Sequence, residues 1–472
     1  MEGYKSFAVT VQGGSHIKSG IVCQDASNFY NDEDESVSIA VVADGHGDSN
    51  CFRSDKGAEY AVICAKEGIQ NFVKELEVLV KSDIKNRDQF NGLFQDQSEF
   101  QKKIEKERKK GKKPLEDDLT AQKEIVDLIH RELGKMIREK LIRQTVYSWG
   151  KRVMDHFQRH PFEEQELEKA SEKYQKRYEK GENINKAYGT SLIVAAITPW
   201  YWFAFHIGDG RFSVLYKDGS GGQPVPWDPK CYLNVTTSIC DDDILDRGEE
   251  GVRTFLSLHS DEDPPVALFL CSDGVDDNYP VEGNEEHLYR LYRNIAVTFV
   301  EDGYESTCGQ IKDLAIGYAT KGKGDDTSLA GIVNMEELKK AAPVLREKLE
   351  AANAKKAADK AEADAKAKAE AEEREEAAAR KEARRAEREA ERERAKAEAE
   401  DKAEAEKAKA ETEKLKAEAE RAKAEVEKLK AEAENLKAEA GKKASDENEA
   451  LKTREQTVQK GLSAIDEAGK KS

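Results

Sequence analysis

Between Val344 and Ala440 the chain carries neither glycine nor proline. A tract written almost wholly in Ala, Glu, Lys and Arg, with no helix breaker, is a helix former of low complexity. At about 1.5 Å per residue a helix over it is on the order of 150 Å long. Most of it offers only alanine as an apolar stripe, with opposite charges three and four residues apart, the pattern of a solvated helix. Near its end Leu415, Ala422, Leu429 and Leu436 recur every seven residues, with Ala419, Val426, Ala433 and Ala440 interleaved. That is a thin coiled-coil seam, through which the chain could self-associate. Three segments follow: 1–335, the helix or coiled coil 336–440, and a tail, 441–472, expected to be disordered.

Residues 1–335 hold nearly all the Trp, Phe, Tyr and Ile, enough for the core of one large domain, and removing the chain from about Ala342 onward is expected to leave that domain folded. A formal net charge of -18 argues against a protein that coats nucleic acid. The basic stretch Gln101–Lys113 reads as a solvated helix end and loop. Seven cysteines show no CxxC spacing, and several lie in apolar runs, as reduced thiols in a reducing compartment do. The N-terminus has no basic segment followed by an apolar one, and the longest apolar stretch, Leu192–Ile207, is too short to span a bilayer and is broken by Pro199. A soluble, cytoplasmic protein without membrane contact is the expectation.

Strands are expected at Ser6–Gln12, Val37–Ala43, Ser191–Ile197, Trp202–Ile207, Arg211–Tyr216, Val266–Cys271 and Ser328–Val333. Helices are expected at Lys56–Val80, Leu119–His156, Glu285–Val300 and Gly309–Ala319. The charge-rich stretches Lys81–Asp118 and Phe162–Asn185 read as an exposed helical insertion, about 81–185, outside the core. Strands from both halves with helices between them point to an α+β fold of two mainly antiparallel sheets covered by helices.

Four aspartates sit where strand-like runs break into glycine turns: Asp44, Asp209, Asp273 and Asp325. An unpaired buried carboxylate is expensive, and its usual compensation is a basic partner or a metal ion. No Arg or Lys adjoins Asp44 or Asp273. Oxygen ligands gathered from several strand ends suit Mg²⁺ or Mn²⁺, so the chain reads first as a metal-dependent enzyme.

The order Gln24-Asp25, Asp44-Gly45-His46-Gly47, Gly189-Thr190-Ser191, Gly208-Asp209-Gly210-Arg211, Ser272-Asp273-Gly274-Val275-Asp276-Asp277 and Asp325-Asp326-Thr327-Ser328 resembles the type 2C metal-dependent Ser/Thr protein phosphatases, chiefly their divergent bacterial branch. The resemblance covers Met1 to about Asn334 and implies a four-layer α-β-β-α sandwich and phosphorylated protein substrates. It further implies that two cations, Mg²⁺ or Mn²⁺, are held by Asp25, Asp44, the Gly45 carbonyl, Asp273 and Asp325. In two-metal sites a water is acidified and the phosphate clamped during direct attack. By resemblance His46 is the general acid toward the leaving oxygen, a role suited to an imidazole titrating near neutrality. Asp209 and Asp277 are similar to positions that, with Asp273, hold a third metal in bacterial relatives; Asp276 or Asp277 could instead cap the turn and the following helix. Asp326 reads as a group that orients the site without ligating.

Two departures stand out. Where the family has a phosphate-gripping Arg five residues before the Asp25 position, and a Glu just before it, this chain has Gly20 and Gln24. Ser15, His16 and Lys18 are the candidate substitutes. An active phosphatase is one reading; a phosphatase-like scaffold or sensor that works through the C-terminal helix is another, and hydrolysis of a small phosphoester shares the same site.

Overall fold

The computed structural model describes residues 3–81 and 116–428, apart from 35, 229–230, 232–235, 260–263 and 282, together with 102, 106 and 110. Ten strands form in chain order: β1 Tyr4–Val11, β2 Ala26–Asn31, β3 Ser38–Ala43, β4 Leu192–Ile197, β5 Tyr201–Ile207, β6 Arg211–Leu215, β7 Gly221–Gly222, β8 Arg253–Leu258, β9 Ala267–Cys271 and β10 Thr327–Asn334. They make two five-stranded sheets, ordered β1-β10-β9-β6-β7 and β2-β3-β4-β5-β8, with every pairing antiparallel.

Period-two alternation sorts the side chains into layers. Ala40 and Val42 of β3 face the interior between the sheets with Ile193, Trp202, Phe212, Leu268, Leu270 and Ile332. Their neighbours Ile39 and Val41 face outward, onto the helix Ser54–Lys81 and the continuous helical run 116–159, through Ile69, Phe72, Ile129, Leu133 and Trp149. The other sheet turns Phe7, Phe269, Leu329 and Val333 toward the helices Asn284–Asp302 and Tyr304–Lys321. The result is the four-layer α-β-β-α sandwich expected.

Two expectations are corrected. The stretch Phe162–Asn185 is polar in composition yet not external: Ala170, Tyr178 and Ile184 are buried in the core with the helices that cover the β2-β3-β4-β5-β8 sheet. The core also runs past Met335. β10 passes directly into the helix Met335–Lys428, whose first turns bury Leu338, Ala341, Ala342 and Leu345. Compact units divide at Glu362 and Ala363, so a cut at Ala342 would open the core. In the second unit the side chains from 363 to 404 are exposed. Of the heptad seam, Leu429 and Leu436 lie outside the described residues, as do the tail 441–472 and most of 81–118. No helix among the described residues is long and apolar enough to cross a membrane.

Candidate active site

In an antiparallel pair the end of one strand adjoins the start of the next, so residues far apart in sequence meet at one edge. Asp44 follows β3 and Asp25 precedes β2, whose first residue Ala26 pairs with Ala43. Asp273 follows β9, Asp325 precedes β10, and Leu329 of β10 pairs with Cys271 of β9. Asp209 lies in the turn from β5 to β6. All five line one cavity of about 460 Å³ at the end of the sandwich, with Gly45, His46 and His16.

Backbone bonds fix these positions. The Asp44 carbonyl accepts from Ser191 N–H and from Thr190 Oγ1, each at 2.8 Å, while Asp44 N–H donates to Ser191 Oγ at 3.1 Å. The Gly-Thr-Ser motif is therefore a brace for Asp44. A Cβ on Gly45 would lie 2.5 Å from the Gln24 carbonyl, and one on Gly274 would lie 1.8 Å from the Asp326 carbonyl. Close backbone approach alone demands glycine at both. Asp326 is buried and uses both oxygens structurally, accepting from Gly13 N–H and Gln24 N–H at 2.6 Å each and standing 3.0 Å from His16 Nδ1. It ties both ends of the segment between β1 and β2 to the Asp325 turn, in line with an orienting role.

Burial raises the Asp25 carboxyl from its ordinary value to about 7, with Asp326 and Asp325 adding to the rise and the Ser272 and Ser328 hydroxyls opposing it. Asp44 is pushed up by burial and then by Asp273, Asp25 and Asp209, and Asp273 by burial and then by Asp209, Asp25 and Asp325, with its contact to Asp44 opposing the rise. Burial also raises Asp209. Among the described residues no ion pair relieves Asp25, Asp44, Asp209 or Asp273, and Asp25 Oδ2 is buried without a partner. As placed, no group of three or more His, Cys, Asp or Glu among the described residues is arranged to hold a metal ion. The donor set nevertheless fits hard divalent cations: crowded, desolvated carboxylates with one oxygen orphaned.

His46 donates its backbone N–H to the Gly189 carbonyl at 3.1 Å, and its Nε2 is buried without a partner. Burial and the Lys186 charge lower its pKa to about 4, so the expected titration near neutrality is not met by the protein alone.

Other candidates fall elsewhere. Ser15 Oγ donates to the Gly324 carbonyl, and Ser15 and exposed Lys18 face a neighbouring recess with Lys323. Asp277 is exposed and pairs with Lys323 at 2.9 Å, outside the cavity, while buried Asp276 accepts from Arg211 Nε at 2.7 Å and serves as no cap. Lys186 does line the cavity. Nothing in sequence marked it, beyond lying three residues before the Gly-Thr-Ser motif.

Comparison with solved structures finds likeness at low identity. A bacterial serine phosphatase bearing a single arginine-to-alanine mutation is 12% identical, with TM-score 0.34, covering 71% of this chain and 100% of that one. The serine/threonine phosphatase Stp1 of Staphylococcus aureus is 12% identical, with TM-score 0.35, covering 71% and 95%. A sex-determining protein of C. elegans is 13% identical, with TM-score 0.36, covering 72% and 68%. No curated protein matches. The sequence model described as Protein phosphatase 2C matches residues 12–303, more than half of the 472. With that match spanning Asp25, Asp44, Asp209 and Asp273, the chain belongs to the protein phosphatase 2C family.

Proposed function

We propose that this family member is a Mg²⁺- or Mn²⁺-dependent phosphatase that hydrolyses phosphoserine and phosphothreonine in proteins. The observation that carries the reading is the single cavity walled by Asp25, Asp44, Asp209 and Asp273, raised together and relieved by no ion pair among the described residues. Two ions, held by Asp25, Asp44, the Gly45 carbonyl, Asp273 and Asp325, would neutralise these carboxylates, acidify the attacking water and draw charge from the phosphoryl oxygens. Asp44, whose backbone Thr190 and Ser191 lock, would present its carboxylate to the ions from a fixed position. Asp209 remains available to a third ion, whereas Asp277 is engaged elsewhere.

Water attacks phosphorus directly: the new bond forms from its oxygen, the bond to the serine or threonine oxygen breaks, and the departing oxygen needs a proton. His46 is the source. Its protonated form, disfavoured by burial, is favoured once a phosphate dianion enters the cavity. The Nε2 then hands its proton to the leaving oxygen.

The test is turnover of a phosphothreonine peptide and of an aryl phosphate by the full chain, with Mn²⁺ and with chelator. Both reactions should require Mn²⁺, and Asp44→Asn or Asp273→Asn should abolish both. His46→Ala should lose about 100-fold or more on the peptide and much less on the aryl phosphate, whose leaving group needs little protonation. Turnover indifferent to chelator sinks the metal-dependent reading, and a His46→Ala protein undiminished on both substrates removes the acid role.

A further inference from the structure

We propose that Lys186 grips the substrate phosphate, supplying from the turn before β4 the cation that Gly20 leaves missing between β1 and β2. The proposal rests on the phosphatase reading above and names the residue that makes that site selective for a phosphate.

Among the residues that line the carboxylate cavity, Lys186 is the single Lys or Arg. Cations nearby are committed to other partners. Arg211 pairs with Asp276, and Lys323 with Asp277. Arg253 donates to the carbonyls of Gly208 and Pro226. His16 faces Asp326 at 3.0 Å. The Lys186 ammonium has no hydrogen bond or ion pair among the described residues, and the acid whose charge it feels, Asp241, already accepts from Arg247 at 3.0 Å and from Ser238 N–H at 3.3 Å.

Its place is built rather than incidental. The tight turn Ile184–Tyr188 buries Ile184, Ala187 and Tyr188, so the backbone that carries Lys186 is fixed. Lys186 N–H donates to the Asn183 carbonyl at 2.9 Å, and Gly189 N–H donates to the Lys186 carbonyl at 3.1 Å. Tyr188 is held in turn by Arg53 at 2.9 Å and by His156 Nδ1 at 2.7 Å. The side chain is half-buried beside His46, Cys51 and Cys240, uncharged groups whose ionisation its charge perturbs. A cation against an uncharged wall, facing an array of carboxylates, is poised for an anion that arrives with the metals. Lysine serves here as a point charge, without the fork of the arginine it replaces.

The test uses the full chain in saturating Mn²⁺ with two readouts: kinetics on a phosphothreonine peptide, including inhibition by inorganic phosphate, and the rise in melting temperature caused by inorganic phosphate, which needs no turnover. Lys186→Met should raise KM and the phosphate inhibition constant about tenfold or more and remove the phosphate-induced rise. Lys186→Arg should recover most of both, with the Mn²⁺-induced rise equal in all three proteins. An inhibition constant and phosphate-induced rise within about twofold of wild type in Lys186→Met overturn the proposal. So does a loss that Arg does not recover and that brings down the Mn²⁺ response, which marks a structural role. If wild type turns over no substrate yet phosphate stabilises it through Lys186, the phosphatase reading fails and the anion site stands; if phosphate leaves wild type unmoved, the anion site fails.

Discussion

Asp25 shows what the carboxylate cluster costs. Its folded-state value of about 7 lies above the ordinary 3.8, so between those values the folded protein holds a proton that the unfolded chain has released. Stability must therefore fall as pH rises through that window, and Asp44 and Asp273, raised by the same causes, act in the same direction. In chelator the melting temperature should be higher at pH 5.5 than at pH 8; saturating Mn²⁺ should shrink or reverse that difference, because bound cations favour the deprotonated ligands. A chelated protein whose melting is flat or rises across the window would show that the carboxylates are not crowded as described. Asp44 and Asp273 were readable in sequence because a carboxylate after an apolar strand is conspicuous. Asp277 misled because successive residues of a short helix diverge by about 100° each. Asp276 thus turns in to Arg211 and Asp277 out to Lys323. Lys186 was invisible for the opposite reason: one lysine in a charge-rich stretch acquires its meaning only from where the fold carries it.

Among the elements, the polar stretch 162–185 braces the loop that carries His46. Ser171 N–H and Oγ donate to Asn50 Oδ1, and the Tyr178 hydroxyl donates to the Asn50 carbonyl at 2.6 Å. Arg53 uses five N–H groups on this join: two to Glu166, two to the carbonyls of His160 and Pro161, and one to the Tyr188 hydroxyl, with Phe162 stacked 4.7 Å from its guanidinium carbon. The pair is 9% and 22% exposed, so solvent screens it little. Arg53→Met should cost about 3 kcal/mol or more in urea unfolding, through stranded acceptors rather than lost volume; a loss under about 1 kcal/mol would reduce the join to a surface contact. Sequence reading missed it because a few aromatics among many charges give no periodic stripe, yet Tyr178 and Tyr188 bury fully. Strands were missed for a related reason. β2 and β8 are the two edges of their sheet, mostly half-buried, so Ser27, Asn28, Arg253 and Thr254 blur the alternation that the central strands display.

For the whole molecule, the boundary between compact units decides where the chain can be shortened. A protein ending at Glu362 keeps Leu338, Ala341 and Leu345 and should match the full chain in urea midpoint and in Mn²⁺-dependent turnover. One ending at Asn334 strips those side chains from the helical cover of the β1-β10-β9-β6-β7 sheet and should lose several kcal/mol, enough to leave a domain of ordinary stability largely unfolded. Equal stability of the two would place the boundary back at Met335. The same topology has a consequence for how the protein is made. β10 is the last strand in the chain but lies inside its sheet, between β1 and β9, and the turn before it brings Asp325. A nascent chain emerging from the ribosome carries β1 with that edge unsatisfied until Thr327 reaches Val11, and every prefix that ends before the Asp325 turn lacks both β10 and Asp325. On the proposed function, chemical competence therefore arrives in one late step of synthesis, and a chain stalled before that step should be inert rather than partly active.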